Sequence, residues 1–95
     1  MKKIVIAGDH GALELKDTIV HFLKNKYFSV TDLGTFGGQS VDYPDMAKAA
    51  CDEFNKGGYD FGILLCGTGI GISMAANKIR GIRCALICDL FSAEM

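Results

Sequence analysis

Cys66 ends the apolar run Ile63-Leu64-Leu65 and is followed by Gly67-Thr68-Gly69-Ile70-Gly71, three glycines at every second position. A strand that stops at a cysteine carries the thiol to the mouth of a loop. Glycines there allow positive φ and let a ligand reach the main chain. A helix opening near Ile70 adds unpaired N–H groups and a partial positive charge, the usual makings of an anion site. A free thiol is only about 3% ionised at pH 7, and a helix N-terminus favours the thiolate. A thiolate facing amide hydrogens can act as a general base next to a carbonyl. The plainer alternatives are a tight structural turn and an inert cysteine at a strand end. The loop is not a dinucleotide fingerprint, which needs G-x-G-x-x-G after the first strand. Nor is it a P-loop, because the Lys and Ser/Thr positions are not filled.

Two further polar groups deserve the same weighing. Asp9-His10 follows the short apolar run Lys3–Ala7 and Gly8. The pair suits sugar hydroxyls or a phosphate; alternatively Asp9 caps the next helix and His10 is solvated. Asp42-Tyr43-Pro44-Asp45 has the form of a helix start, with Pro44 in the first turn and Asp42 or Tyr43 as cap. His21 falls inside a helical stretch and reads as a surface residue.

The elements that would position these groups alternate strand and helix. Lys3 to Ala7 is the first strand. Ala12, Leu15, Ile19, Phe22 and Leu23 give Gly11 to about Lys26 one apolar helical face. Phe28 to Leu33 is the second strand, and Gly34 with Gly37-Gly38 marks a loop. Ala47, Ala50, Cys51 and Phe54 stripe the next helix, which Gly57-Gly58 ends. Phe61 to Cys66, apolar on both faces, reads as a central parallel strand. Ile72, Ala75, Ala76 and Ile79 mark a short helix, Ala85 to Cys88 a fourth strand, and Asp89 to Met95 the opening of another helix. Alternating β and α units imply a parallel sheet covered on both faces. Ligands of such sheets sit beyond the carboxyl ends of the strands. There Asp9-His10, the Cys66–Gly71 loop and Asp89 are expected to share one pocket.

Composition narrows the classes. Ninety-five residues, half of them apolar, make one domain spanning 1–95. A chain of this size buries only roughly 60–65% of its unfolded surface, so a partner subunit would help. The formal net charge is −1 and the basic residues are scattered, against a nucleic-acid groove. No apolar run approaches the length of a membrane span, and the Lys3–Ala7 run is too short for a signal peptide. With no C-x-x-C pair and two histidines, a zinc site is not expected. Cys51, Cys84 and Cys88 read as small core residues, and free thiols fit a reducing cytoplasm.

Several segments together resemble one family. They are Gly8-Asp9-His10-Gly11, Glu14-Leu15-Lys16, Asp32-Leu33-Gly34-Thr35, Val41-Asp42-Tyr43-Pro44, Cys66-Gly67-Thr68-Gly69-Ile70-Gly71, Ala75-Ala76-Asn77-Lys78, Gly81-Ile82-Arg83 and Phe91-Ser92-Ala93. In order and along the whole chain they are similar to the type B ribose-5-phosphate isomerases, a family shared with the galactose-6-phosphate isomerase subunits. The resemblance implies a Rossmann-like three-layer α/β/α fold with a five-stranded parallel sheet, of which four strands are expected here. It implies a homodimer or tetramer with sites at the subunit interface, and a cofactor- and metal-independent exchange of an aldose phosphate for a ketose phosphate through an enediolate.

Carried over by position, Cys66 is the base, and the Gly67, Gly69, Ile70 and Gly71 backbone holds the oxyanion. Thr68 assists ring opening or orients the sugar, Asp9 and His10 bind the sugar phosphate, and Tyr43 lines the pocket. The family commonly reads Asp-His-Ala-Gly where this chain has Asp9-His10-Gly11-Ala12. It also continues past Met95 with a histidine, an asparagine, phosphate-binding arginines and a last strand. On this reading the 95-residue chain is a shortened form with impaired phosphate binding and an exposed sheet edge. The leading expectation is interconversion of ribose 5-phosphate and ribulose 5-phosphate. The alternatives are a hexose-6-phosphate isomerase subunit and a non-catalytic sugar-phosphate-binding subunit.

Overall fold

A computed structural model describes residues 1–33, 43–67, 69–87 and 89–94, with His10 and Tyr43 described by backbone alone. The Gly34–Gly38 loop, the Asp42 cap, Thr68 and Cys88 therefore lie outside the described residues. The elements run β1 (Lys3–Gly8), a 3-10 turn (His10–Ala12), α1 (Leu13–Asn25), β2 (Ser29–Asp32), α2 (Tyr43–Asn55), β3 (Phe61–Leu65), α3 (Ile70–Asn77) and α4 (Leu90–Glu94).

Three parallel strands lie in the order β2-β1-β3. Ile4, Val5, Ile6 and Ala7 are buried on both faces of β1, so the continuous apolar run belongs to the central strand. From β1 the chain crosses one way to β2, then back across β1 to β3. Right-handed crossovers in opposite directions place their helices on opposite faces of the sheet. Accordingly α1 packs on β1 and β2, whereas α2 packs on β1, β3 and α3. The α2 face of the core is built from Met46, Ala47, Ala50, Cys51, Ile72 and Ala76 around Ala7.

Three sequence expectations are corrected. The first concerns α1. Leu15 is 53% exposed and Phe22 58%, while Lys16 is 1% exposed. The buried stripe runs through Ala12 and Lys16 to the half-buried Ile19 and Leu23, at i, i+4, i+7 and i+11. Asp32, at the end of β2, makes this possible: Lys16 Nζ donates to its carboxylate at 2.9 Å. A lysine stem can cover apolar surface when its ammonium has a partner.

The second concerns β3, which is not central among the described residues. It pairs only with β1, and Phe61 is 52% exposed. The third is the fourth strand. Among the described residues, no backbone hydrogen bond joins Ala85–Ile87 to β3, and these residues are exposed. One residue earlier the chain is held by a side chain. Cys84 has both its N–H and its C=O bound by the side-chain amide of Asn77, at 2.8 Å each. Those groups are thus committed to a side chain and not to a neighbouring strand.

Candidate active site

β1 and β3 meet where the connections of the sheet diverge, so a crevice at their carboxyl ends is the expected ligand position. The register pairs Gly8 with Leu65, and Asp9 N–H donates to Leu65 C=O at 3.0 Å. Asp9 and Cys66, each one residue beyond its strand, are thereby held side by side. Gly8 permits this approach. A Cβ there would stand 3.1 Å from Leu65 O and 3.2 Å from Leu65 Cβ, so Leu65 would have to shift by a few tenths of an ångström.

Cys66 is half-buried. Gly69 N–H donates to its Sγ at 3.1 Å. That geometry depends on Gly69, which takes φ +81° as N-cap of α3, a left-handed conformation that glycine adopts without a Cβ penalty. Ser73 N–H donates to Gly69 C=O at 3.1 Å and closes the first helical bond. Ile70 and Gly71 form the first turn of α3, directly after Gly69. Cys51 is fully buried and Cys84 half-buried, and burial pushes both thiols above the ordinary cysteine value.

Asp9 has a structural duty. Its Oδ1 accepts from Gly11 N–H at 3.0 Å and caps the 3-10 turn, so α1 begins at Leu13 and not at Gly11. His10 is placed by backbone in the turn beside Asp9, and Tyr43 opens α2. A Cβ on Gly11 would lie 3.4 Å from Asp9 Oδ1, ordinary contact, so the Gly11-Ala12 order is sterically equivalent to its reverse at this position.

The structure thus brings Asp9, Cys66, Gly67 and Gly69 to one end of the β1–β3 pair. The Asp89 carboxylate accepts from Ser92 N–H at 2.7 Å and caps α4. A cavity of about 500 Å³ lies between β3 and residues 81–87, with Gly69 in its wall. Its walls include Phe54, Ile63, Ile72, Ile82 and Leu86, a lining suited to apolar groups and not to a sugar phosphate.

Four residues received no role from sequence reasoning. Lys16 and Asp32 form a buried ion pair, signalled only by a lysine at an apolar spacing. Ser73 is buried on α3, and its hydroxyl donates to Ile70 C=O at 2.9 Å. Asn77 grips Cys84, and its one signal was an amide directly after an Ala-Ala pair. Among the described residues no group of three or more His, Cys, Asp or Glu side chains could hold a metal ion, and no helix is long and apolar enough to cross a membrane.

Comparison with known proteins agrees with this architecture. A family model described as Ribose/Galactose Isomerase matches residues 4–95. Ribose-5-P isomerase B of Listeria innocua is 48% identical over 92 residues, covering 97% of this chain and 62% of the relative. The galactose-6-phosphate isomerase subunit LacB of Clostridium acetobutylicum is 43% identical over 91 residues, covering 96% of this chain and 53% of that subunit. The structure of Trypanosoma brucei type B ribose 5-phosphate isomerase superposes with a TM-score of 0.88 at 38% identity, over 98% of this chain and 64% of that one. The chain thus spans less than two thirds of the length of these relatives. A match to the family model over nearly its whole length shows that this chain belongs to the ribose/galactose isomerase family.

Proposed function

We propose that this chain carries the catalytic thiol and oxyanion loop of an aldose–ketose isomerase acting on ribose 5-phosphate and ribulose 5-phosphate. The observation that carries the reading is the Gly69 N–H donated to Cys66 Sγ at 3.1 Å, at the carboxyl ends of β1 and β3. In the forward direction the Cys66 thiolate removes the C2 proton of the open-chain aldose. The C2–H electron pair becomes the C1–C2 double bond, and the carbonyl π pair moves onto O1. Amide hydrogens of Gly67, Gly69, Ile70 and Gly71 meet that oxyanion, where one missing donor costs roughly 3–4 kcal/mol. A proton passes from the C2 hydroxyl to O1, the electron pair left on O2 forms the ketone, and the C1–C2 π pair takes the proton back from the thiol at C1, which regenerates the thiolate, so atoms and charge balance without a cofactor. Asp9 and His10 bind the sugar phosphate, Tyr43 lines the pocket and Thr68 assists ring opening.

The reading includes assembly as a homodimer or tetramer in the cytoplasm. Leu90 at 75% and Phe91 at 72% exposure support a further packing partner, and the free thiols of Cys51, Cys66 and Cys84 agree with a reducing compartment. Likeness to a LacB subunit keeps a hexose-6-phosphate substrate as the second reading. Turnover of ribose 5-phosphate and galactose 6-phosphate by the chain and by Cys66→Ala, with calorimetric binding of each sugar phosphate, tests both. The account predicts pentose turnover that falls by orders of magnitude in Cys66→Ala while binding persists. Binding without turnover in the unaltered chain would favour a non-catalytic subunit.

A further inference from the structure

Asn77 ends α3, and its side chain holds three backbone groups. Nδ2 donates to Ser73 C=O at 2.9 Å and to Cys84 C=O at 2.8 Å, while Oδ1 accepts from Cys84 N–H at 2.8 Å. A primary amide presents a donor and an acceptor on one plane, as a neighbouring strand would. A carboxylate presents acceptors alone.

The segment gripped at Cys84 leads directly to Leu86. Leu86 Cδ1 lies 3.0 Å from the point where a Cβ on Gly69 would stand, so this side chain backs the loop at its left-handed residue. A second link runs through α3. Asn77 Nδ2 holds Ser73 C=O, and Ser73 N–H holds Gly69 C=O at 3.1 Å. Both links end at the residue whose N–H meets the Cys66 sulfur.

We propose that Asn77 is a positioning residue: by fixing Cys84, and through it Leu86, it seats Gly69 so that the Gly69 N–H stays aimed at Cys66 Sγ. The inference takes Cys66 as the working group, and so rests on the proposed function for its meaning but not for its test.

The test reads the sulfur and not turnover. The chain and its Asn77→Ala, Asn77→Asp and Leu86→Ala variants are treated with iodoacetamide at neutral pH, and peptide mass mapping follows Cys66 alone. Circular dichroism confirms folding. Loss of one hydrogen bond to a charged acceptor predicts alkylation of Cys66 roughly tenfold slower in each folded variant.

Amide exchange at Cys84 supplies the second readout. Asn77→Ala removes the acceptor of the Cys84 N–H and should lose its protection from exchange, whereas Asn77→Asp, whose carboxylate still accepts from that N–H but donates to neither carbonyl, should keep part of it. The unaltered chain and Leu86→Ala should protect it fully. Leu86→Ala leaves the amide grip untouched, so it tests the relay even where an Asn77 variant fails to fold. Cys66 alkylation in Leu86→Ala at or above the unaltered rate overturns the proposal, as does the same result in a folded Asn77→Ala. Absent isomerase activity would change none of these outcomes.

Discussion

Gly69→Ala perturbs the loop at its most constrained point, and its cost can be worked from two observations. At φ +81° an L side chain pays roughly 1–2 kcal/mol relative to glycine. The new Cβ would also sit 3.0 Å from Leu86 Cδ1. Leu86 is a flexible side chain, 40% exposed, so it yields by a few tenths of an ångström at a cost of about 0.5–1 kcal/mol. The sum is about 2 kcal/mol. For a domain of this size that corresponds to a melting point lower by roughly 8–16 °C. Gly67→Ala is the matched control, because a Cβ at Gly67 meets nothing within 4 Å and its stability change should stay within about 0.5 kcal/mol. Chemical denaturation of both variants checks the difference. Equal stabilities would refute the argument, because strain at residue 69 would then not be what shapes the loop.

Other outcomes follow from the same framework. Gly8→Ala should cost about 1–3 kcal/mol in denaturant unfolding, since the Cβ must push Leu65 off β1. Lys16→Met should cost about 2–4 kcal/mol, because it leaves the Asp32 carboxylate, 20% exposed, without its ammonium partner; a double variant with Asp32→Asn should recover part of that loss in a double-mutant cycle. Stability should also fall in acid. Tyr59 O–H and Lys56 hold the Glu53 carboxyl below its ordinary value, and Ser92 N–H does the same for Asp89. Groups with depressed folded values contribute stability above the unfolded value of about 4 and lose it as pH falls through the folded value. Thermal melts from pH 6 to 2 should show that decline, with a shallower slope in Glu53→Gln.

The loop geometry was legible because Cys66-Gly-x-Gly-x-Gly couples residue type to spacing, and Gly69 does take the positive φ that such spacing serves. The buried run Ile4–Ala7 was legible as a strand, but not as the centre of the sheet. Strand order depends on crossovers that no local pattern records, so Phe61–Leu65 looked equally central. Leu15 and Phe22 fitted a helical face as well as Lys16 did, and only the distant Asp32 carboxylate decides which turns inward. Ala85–Cys88 has strand composition, yet the side-chain amide of Asn77 takes the backbone groups of Cys84 immediately before it. Asp89 follows the expected fourth strand and caps α4. A capping aspartate and a binding aspartate look the same in a sequence, as Asp9 also illustrates.

Proton movement at the substrate carbon reports on Cys66 most directly. Ribose 5-phosphate held with the chain in deuterium oxide should gain deuterium at C1 of ribulose 5-phosphate, followed by proton NMR. Cys66→Ala, folded and still binding the sugar phosphate, should suppress that incorporation by orders of magnitude. Incorporation at an unchanged rate in Cys66→Ala would contradict the account, because the base would then be some other group.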